Sequence, residues 1–249
     1  MSKKLIVANW KMNPQKAKKA QALFAAIKNG MKGINNAEVV ICPPAIYLPI
    51  LKSGAAIKLG SQNCHWEING AFTGELSASM LVDAGAEYVI LGHSERRQFM
   101  GETDEIVNLK IKAALKAKLK PILCVGEKAG EDMGLMVGGQ LTSVLAGLSV
   151  NQMKDLVIVY EPVWAISAQG GQVCSPDDAL SAALFIRRIL TNLYSRFLAE
   201  KTPILYGGSV KSQNVKDYIV QARLDGLLVG AASLDAGEFV KIVKSPEEF

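Results

Sequence analysis

Lys11, His93 and Glu161 lie far apart in the sequence, yet together they carry the side chains a proton-transfer reaction needs. Glu161 ends the run Leu156-Val157-Ile158-Val159-Tyr160 and precedes Pro162. A carboxylate at the end of a buried strand needs a partner or a task. Abstraction of a proton from carbon is one such task, made easier where a low dielectric raises the basicity; an ion pair at a rim is the alternative. His93, one of two histidines, stands between an apolar run and a helix start at Ser94-Glu95. Helix N–H groups disfavour an imidazolium, so a ring placed there stays neutral and can donate a hydrogen bond to a substrate oxygen. A satisfied structural histidine is the other reading, and His65, between Cys64 and Trp66, is read that way. Lys11 is the natural cation for a substrate anion or for developing negative charge. Lys16, Lys18 and Lys19 fit a solvated helix face.

Two further stretches suit an anion. Gly207-Gly208-Ser209 and Gly230-Ala231-Ala232-Ser233 each follow an apolar run. Small residues let backbone N–H groups approach a phosphate, and a helix N-terminus adds partial positive charge. Tight strand-to-helix turns would use the same residues. The connection from Pro162 to Pro176 is long, with a stiff entry and glycines at Gly170 and Gly171. Beside a catalytic carboxylate it reads as a lid that excludes water, and otherwise as a surface loop.

The elements that must position these residues are short runs at even intervals. Leu5–Trp10, Glu38–Cys42, Ile57–Asn63, Tyr88–Gly92, Pro121–Val125, Leu156–Glu161, Pro203–Gly207 and Gly226–Gly230 are mostly apolar throughout, as in strands buried on both faces of a parallel sheet. Between them the period turns helical. Val107, Ile111, Ala114 and Leu115 fall on one face, with Lys112, Lys116 and Lys120 opposite. Ser175-Pro176 is a strong helix start and predicts a helix over Asp178 to Ala199, with Ser212 a further start. Strand and helix alternating through residues 1–249 predict a single α/β domain, a (β/α)8 barrel, whose chemistry lies at the C-terminal ends of the strands. A doubly wound sheet would be expected to show a glycine-rich turn after its first strand, and Asn9-Trp10-Lys11-Met12-Asn13 has no glycine.

The composition agrees with an ordinary globular protein. The chain has 249 residues, 49% hydrophobic and 20% charged, which excludes a disordered, collagenous or disulfide-rich protein. A net charge of +5 is too small, and the lysines too scattered, to argue for nucleic acid. Near the N-terminus the apolar run Leu5 to Ala8 is shorter than a secretory signal needs, and no run reaches a membrane span of about 20 residues. Cys42, Cys64, Cys124 and Cys174 stand far apart, as expected of buried thiols in a reducing compartment and not of a zinc site. A cytoplasmic location without metal or cofactor is the expectation.

Five motifs carry a family resemblance. Asn9-Trp10-Lys11-Met12-Asn13, Gly92-His93-Ser94-Glu95-Arg96-Arg97, Cys124-Val125-Gly126-Glu127, Tyr160-Glu161-Pro162-Val163-Trp164-Ala165-Ile166 and Tyr206-Gly207-Gly208-Ser209-Val210 resemble the triosephosphate isomerase family, in order and spacing, from end to end. The resemblance implies interconversion of dihydroxyacetone phosphate and glyceraldehyde 3-phosphate, in glycolysis and gluconeogenesis, with neither metal nor coenzyme. It implies that Glu161 is the base working through an enediolate and His93 the neutral electrophile. Lys11 would be the cation beside it, Asn9 a substrate donor, Glu95 the carboxylate near the lysine and Cys124 a packed cysteine behind the site. Gly171, Ser209, Gly230 and Ala231 would meet the phosphate, with Gly170 a competitor for Gly171. A non-catalytic phosphometabolite-binding barrel is the alternative function.

The chain departs from the family pattern in two places. The stretch Ser167 to Cys174 is two residues longer than the family's lid tip and lacks its Gly-Thr-Gly-Lys, which predicts a different hinge. After the eighth strand the family's paired glycines appear as Gly230-Ala231, which is harmless unless that residue needs positive φ. The long stretch Cys64 to Ser79, with Trp66, Phe72 and Thr73, resembles the family's loop that inserts into a second subunit, and implies a homodimer.

Overall fold

In the computed structural model, which describes residues 3–54, 57–166 and 172–245, all eight apolar runs are strands. They are β1 (Lys4–Asn9), β2 (Ala37–Cys42), β3 (Ile57–Ser61), β4 (Tyr88–Leu91), β5 (Lys120–Val125), β6 (Val157–Tyr160), β7 (Ile204–Tyr206) and β8 (Gly226–Val229). Each pairs in parallel with its sequence neighbours, and β8 returns to β1 to close the barrel. The strands end up to two residues short of the expected limits, although Glu161 and Gly207, just beyond β6 and β7, still donate their amides to the Val125 and Tyr160 carbonyls of the preceding strands.

Side chains alternate across a strand, so a closed barrel sorts them into two cores. Leu5, Val7, Val40, Cys42, Tyr88, Ile90, Ile122, Cys124, Val157, Val159, Leu205 and Leu228 form a cluster made of strand residues alone, which is the barrel interior. Their neighbours, such as Ile6, Ala8, Val39 and Ile158, belong to a larger cluster shared with the helices. The same parity points Asn9, the last residue of β1, and Glu161, Gly207 and Gly230, one step beyond β6, β7 and β8, inward at the C-terminal mouth.

The outer layer comprises α1 (Ala17–Gly30), α2 (Ala78–Asp83), α3 (Ser94–Phe99), α4 (Asp104–Lys116), α5 (Met133–Val144), α6 (Val150–Met153), α7 (Pro176–Leu193), α8 (Arg196–Lys201) and α9 (Ala236–Lys244). Between β2 and β3 a 3₁₀ turn, Ala45–Ile50, holds the helix position, and between β7 and β8 a π-turn, Asp217–Gln221, does so. In α4 Thr103 is the cap, Asp104 and Glu105 fill the first turn, and Val107, Ile111 and Ala114 are buried as read; Leu115 is only partly buried, and Lys120, expected on the opposite stripe, lies past the helix end as the first residue of β5.

The helix expected over Asp178 to Ala199 is broken in two. It starts as predicted, with Ser175 accepting the Asp178 amide and Pro176 in first position. Tyr194 then leaves helical geometry, and Ser195 caps α8 by accepting from the Leu198 amide. Arg187 explains the fold-back: its guanidinium donates to the carbonyls of Ala199 and Thr202 and pairs with Asp225 at 2.9 Å. Ser212 does open a continuous helical run, which passes from the 3₁₀ turn Ser212–Asn214 through Val215 and Lys216 into the π-turn Asp217–Gln221. Among the described residues no helix is long and apolar enough to cross a membrane.

Candidate active site

The mouth of the barrel holds a cavity of about 590 Å³ lined by Asn9, Lys11, His93, Glu95, Glu161, Ser209, Gly230 and Ala231. Every site residue expected from the sequence is there except Gly171. That residue, with the rest of Ser167 to Gly171 and so the expected lid tip, lies outside the described residues.

Glu161 reaches the cavity by strand parity, and its backbone is set by a close approach. A Cβ on Gly126 would stand 1.9 Å from the Glu161 carbonyl oxygen, so only glycine fits between the ends of β5 and β6. His93 has the opposite parity to the inward Tyr88 and Ile90. Gly92, at φ 69°, turns the chain so that the imidazole faces the mouth after all.

The first two amides of α3 are divided between these side chains. The Ser94 N–H donates to Glu161 Oε2 at 2.9 Å, and the Glu95 N–H donates to His93 Nδ1 at 3.2 Å. His93 Nε2 lies 2.9 Å from Glu161 Oε1. An imidazole nitrogen that accepts an amide hydrogen keeps its lone pair, so the hydrogen of this ring sits on Nε2, where it meets the carboxylate. Burial alone would raise the Glu161 pKa; the His93 ring and the Ser94 amide outweigh it, and the net direction is down. For His93, burial opposes the cation, but the adjoining Glu161 charge carries the net direction upward.

Lys11 pairs with Glu95, Nζ to Oε1, at 2.5 Å. Its backbone is left-handed, φ 52°, which for a lysine costs on the order of 1–3 kcal/mol and persists only where surroundings impose it. One such restraint is Asn9, whose Oδ1 accepts the Lys11 amide at 3.0 Å. With its oxygen so occupied, Asn9 offers its NH₂ as the remaining polar group.

The two small-residue loops close the cavity opposite. Among the described residues, only Lys11, Lys118 and Arg223 have positive φ without being glycine, so Ala231 fits the backbone without strain. Ala231 opens a 3₁₀ turn, Ala231–Leu234, and the Gly230 carbonyl accepts from the Ser233 amide and hydroxyl, at 2.9 and 2.7 Å. Ser209 is differently engaged: its amide and its hydroxyl both donate to the Ala165 carbonyl, at 3.2 and 2.8 Å. An anion can take the Ser209 amide only after Ala165 gives it up.

Several participants escaped the sequence reading. Glu127 Oε1 accepts from Tyr160 Oη at 3.0 Å and Trp164 Nε1 at 2.7 Å, anchoring the start of the connection that follows β6. Glu238 of α9 accepts the Ser212 amide at 2.7 Å and joins the loops after β7 and β8. Glu102 is buried between Arg96 and Lys110. Glu127 at least stood inside a recognised motif; Glu102 and Glu238 look like ordinary polar residues until the chain folds. Cys124 is fully buried and burial drives its thiol pKa up. His65, read as structural, stacks on Trp66 at 4.0 Å and meets Phe72 at 4.5 Å.

A closed parallel barrel with a carboxylate, an imidazole and an ammonium gathered at its C-terminal mouth has the architecture of the (β/α)8 barrel enzymes, whose active sites lie at that end. Residues 4–246 match the family model described as triosephosphate isomerase. A triosephosphate isomerase of Carboxydothermus hydrogenoformans is 46% identical over 98% of this chain and 99% of its own, and one of Citrifermentans bemidjiense is 44% identical over 99% and 100%. A third, of Herpetosiphon aurantiacus, is 45% identical over 98% and 99%. The chain belongs to the triosephosphate isomerase family and is an isomerase.

Proposed function

We propose that the chain interconverts dihydroxyacetone phosphate and D-glyceraldehyde 3-phosphate through the Glu161–His93 pair. The observation that carries this reading is the convergence of Glu161, His93 and Lys11 on one cavity that also exposes the Gly230–Ala231 backbone. The Glu161 carboxylate takes the proton from C1 of the ketose, and the C1–H electron pair becomes the C1–C2 double bond of an enediolate. His93 Nε2–H donates to the C2 oxygen as it gains charge, and Lys11 offsets that charge. Return of the proton to C2, with hydroxyl proton transfer through His93, completes the aldose. Asn9 donates to substrate, while Ser209, Gly230, Ala231 and Gly171 supply backbone N–H groups to the phosphate.

In the arrangement described, Glu161 is docked on Ser94 and His93. To act as a base it must leave both. Leaving removes the donors that lower its pKa, and burial then makes it a stronger base; it also removes the charge that raises the His93 pKa, and leaves the ring neutral. The docked state is thus the resting state, and the pair arms itself when substrate draws the carboxylate away.

A homodimer fits the surface around the Cys64–Ser79 loop. Ile68, Phe72, Phe99 and Met100 are exposed there, beside a groove of about 550 Å³ lined in part by Lys11, Cys64 and Glu75. The groove runs up to Lys11, so a second copy seated in it would brace the site. Four buried thiols suit the cytoplasm, where glycolysis and gluconeogenesis run.

A coupled assay of triose phosphate isomerisation tests the function. Rapid turnover that is lost in Glu161→Gln supports it, and a folded wild-type protein without turnover refutes it. Sedimentation tests the dimer, which a stable, fully active monomer would exclude.

A further inference from the structure

The left-handed backbone of Lys11 is held from two directions. Asn9 takes the amide, as described. The Lys11 carbonyl accepts from Gln62 Nε2 at 2.8 Å, and the same nitrogen donates to the Cys42 carbonyl at 2.9 Å. Gln62 directly follows β3 and Cys42 ends β2, so one side-chain NH₂ ties the tips of two neighbouring strands to the lysine loop. Both hydrogens of that nitrogen are spent. Among the described residues the Lys11 carbonyl accepts from no other donor.

The lysine side chain leaves this restrained peptide toward Glu95 on one side and Gly230 on the other. A Cβ on Gly230 would lie 3.6 Å from Lys11 Cε. If the peptide relaxed to negative φ, its Cα–Cβ direction would turn and the ammonium would be carried off that line.

We infer that Gln62 is a positioning residue for the reaction, fixing Lys11 in the left-handed conformation that aims its ammonium at the substrate anion. The inference rests on the reading of Lys11 as the substrate cation. Gln62 touches no substrate; it acts through the Lys11 carbonyl.

Gln62→Met keeps the length of the side chain and removes both hydrogens. The expected result is a KM for triose phosphate, and an inhibition constant for inorganic phosphate, both raised roughly ten- to a hundredfold, with a fall in kcat beside them because Lys11 also offsets the charge that develops on the substrate. Gln62→Glu, assayed in mildly alkaline buffer where the carboxylate is ionised, should show the same changes, since it too lacks the donors. A loss of stability without misplacement of Lys11 would not move the KM of the folded fraction. A folded variant of either kind with wild-type KM and phosphate inhibition overturns the inference. Failure of both variants to fold overturns it as well, because the role is then the barrel's and not the lysine's. Lys11→Met separates this from the underlying reading: unaltered phosphate inhibition in that variant removes Lys11 as the substrate cation, whereas weakened inhibition there with none in Gln62→Met removes Gln62 alone.

Discussion

The Nε2 of His93 and the Oε1 of Glu161 face each other at 2.9 Å, and each side chain is also held by one of the first two amides of α3. Acid and base are therefore mutually satisfied at rest, and a single helix terminus sets the orientation of both. Replacing Glu161 by Gln removes the base while leaving an amide oxygen for the Ser94 N–H. We expect kcat to fall about 10²–10⁴-fold with KM little changed. The same variant should lower the pKa of His93, because the charge that raised it is gone and burial remains; nitrogen chemical shifts of the ring measure this directly.

Ser94→Pro tests the amide alone. Proline is accepted at the first position of a helix, and His93, at φ −56° and ψ 141°, already has the extended conformation that precedes proline. Loss of this donor destabilises the Glu161 anion, so its pKa rises. The acid limb of kcat/KM should move to higher pH than in the wild type, where His93 and this amide hold the Glu161 carboxyl down against burial. An unmoved limb would show that the Ser94 amide contributes nothing to the anion.

Glu102, sealed between Arg96 and Lys110, gives the clearest stability prediction. Glu102→Ala leaves a buried ammonium without its carboxylate, since Lys110 then keeps only Asn63 Oδ1 at 2.8 Å. Breaking a buried pair from one side should cost about 3–5 kcal/mol, read as a lower denaturant midpoint. Burial raises the Glu102 pKa, but Lys110 and Arg96 prevail and the direction is down. A carboxylate held below its unfolded value stabilises the protein above that unfolded value, and the contribution disappears as pH falls through the folded one. Glu161 adds to the same window, so stability should decline in acid below the ordinary glutamate range, and less so in Glu102→Gln.

All four thiols are buried, and burial pushes those of Cys64 and Cys174 up to about 12. Thiol reagents need the thiolate. Labelling of the native protein at neutral pH should therefore require transient opening, so that its rate rises with reagent and levels off at the rate of opening, which mass spectrometry over a reagent series can decide.

The strands were legible because both of their faces are buried, which leaves plain apolar runs such as Leu156 to Tyr160. Asn9, His93 and Glu161 were legible because strand tips are where polar residues interrupt those runs. The break between α7 and α8 was not, since Arg187, Ala199 and Asp225 meet only after folding. Gln62 was equally hidden: its partners Lys11 and Cys42 are 51 and 20 residues away, and a glutamine after a strand announces nothing. The fitness of alanine at position 231 depended on a backbone angle that no side-chain pattern encodes.

Alternation along β6 sets a rule for altering this protein. One residue inserted within Val157–Tyr160 would exchange the faces of everything after it, sending Glu161 toward the helices and Tyr160 toward the mouth. Substitutions there are graded by size, but an insertion would be all or nothing, and a compensating second insertion should restore the face though not the height. The connection from Pro162 to Pro176 joins two separately anchored elements and carries no such odd-or-even condition. Length can drift in that segment and cannot in the strand, so a designer seeking to retune access to the site has one place free to lengthen and another that must be counted.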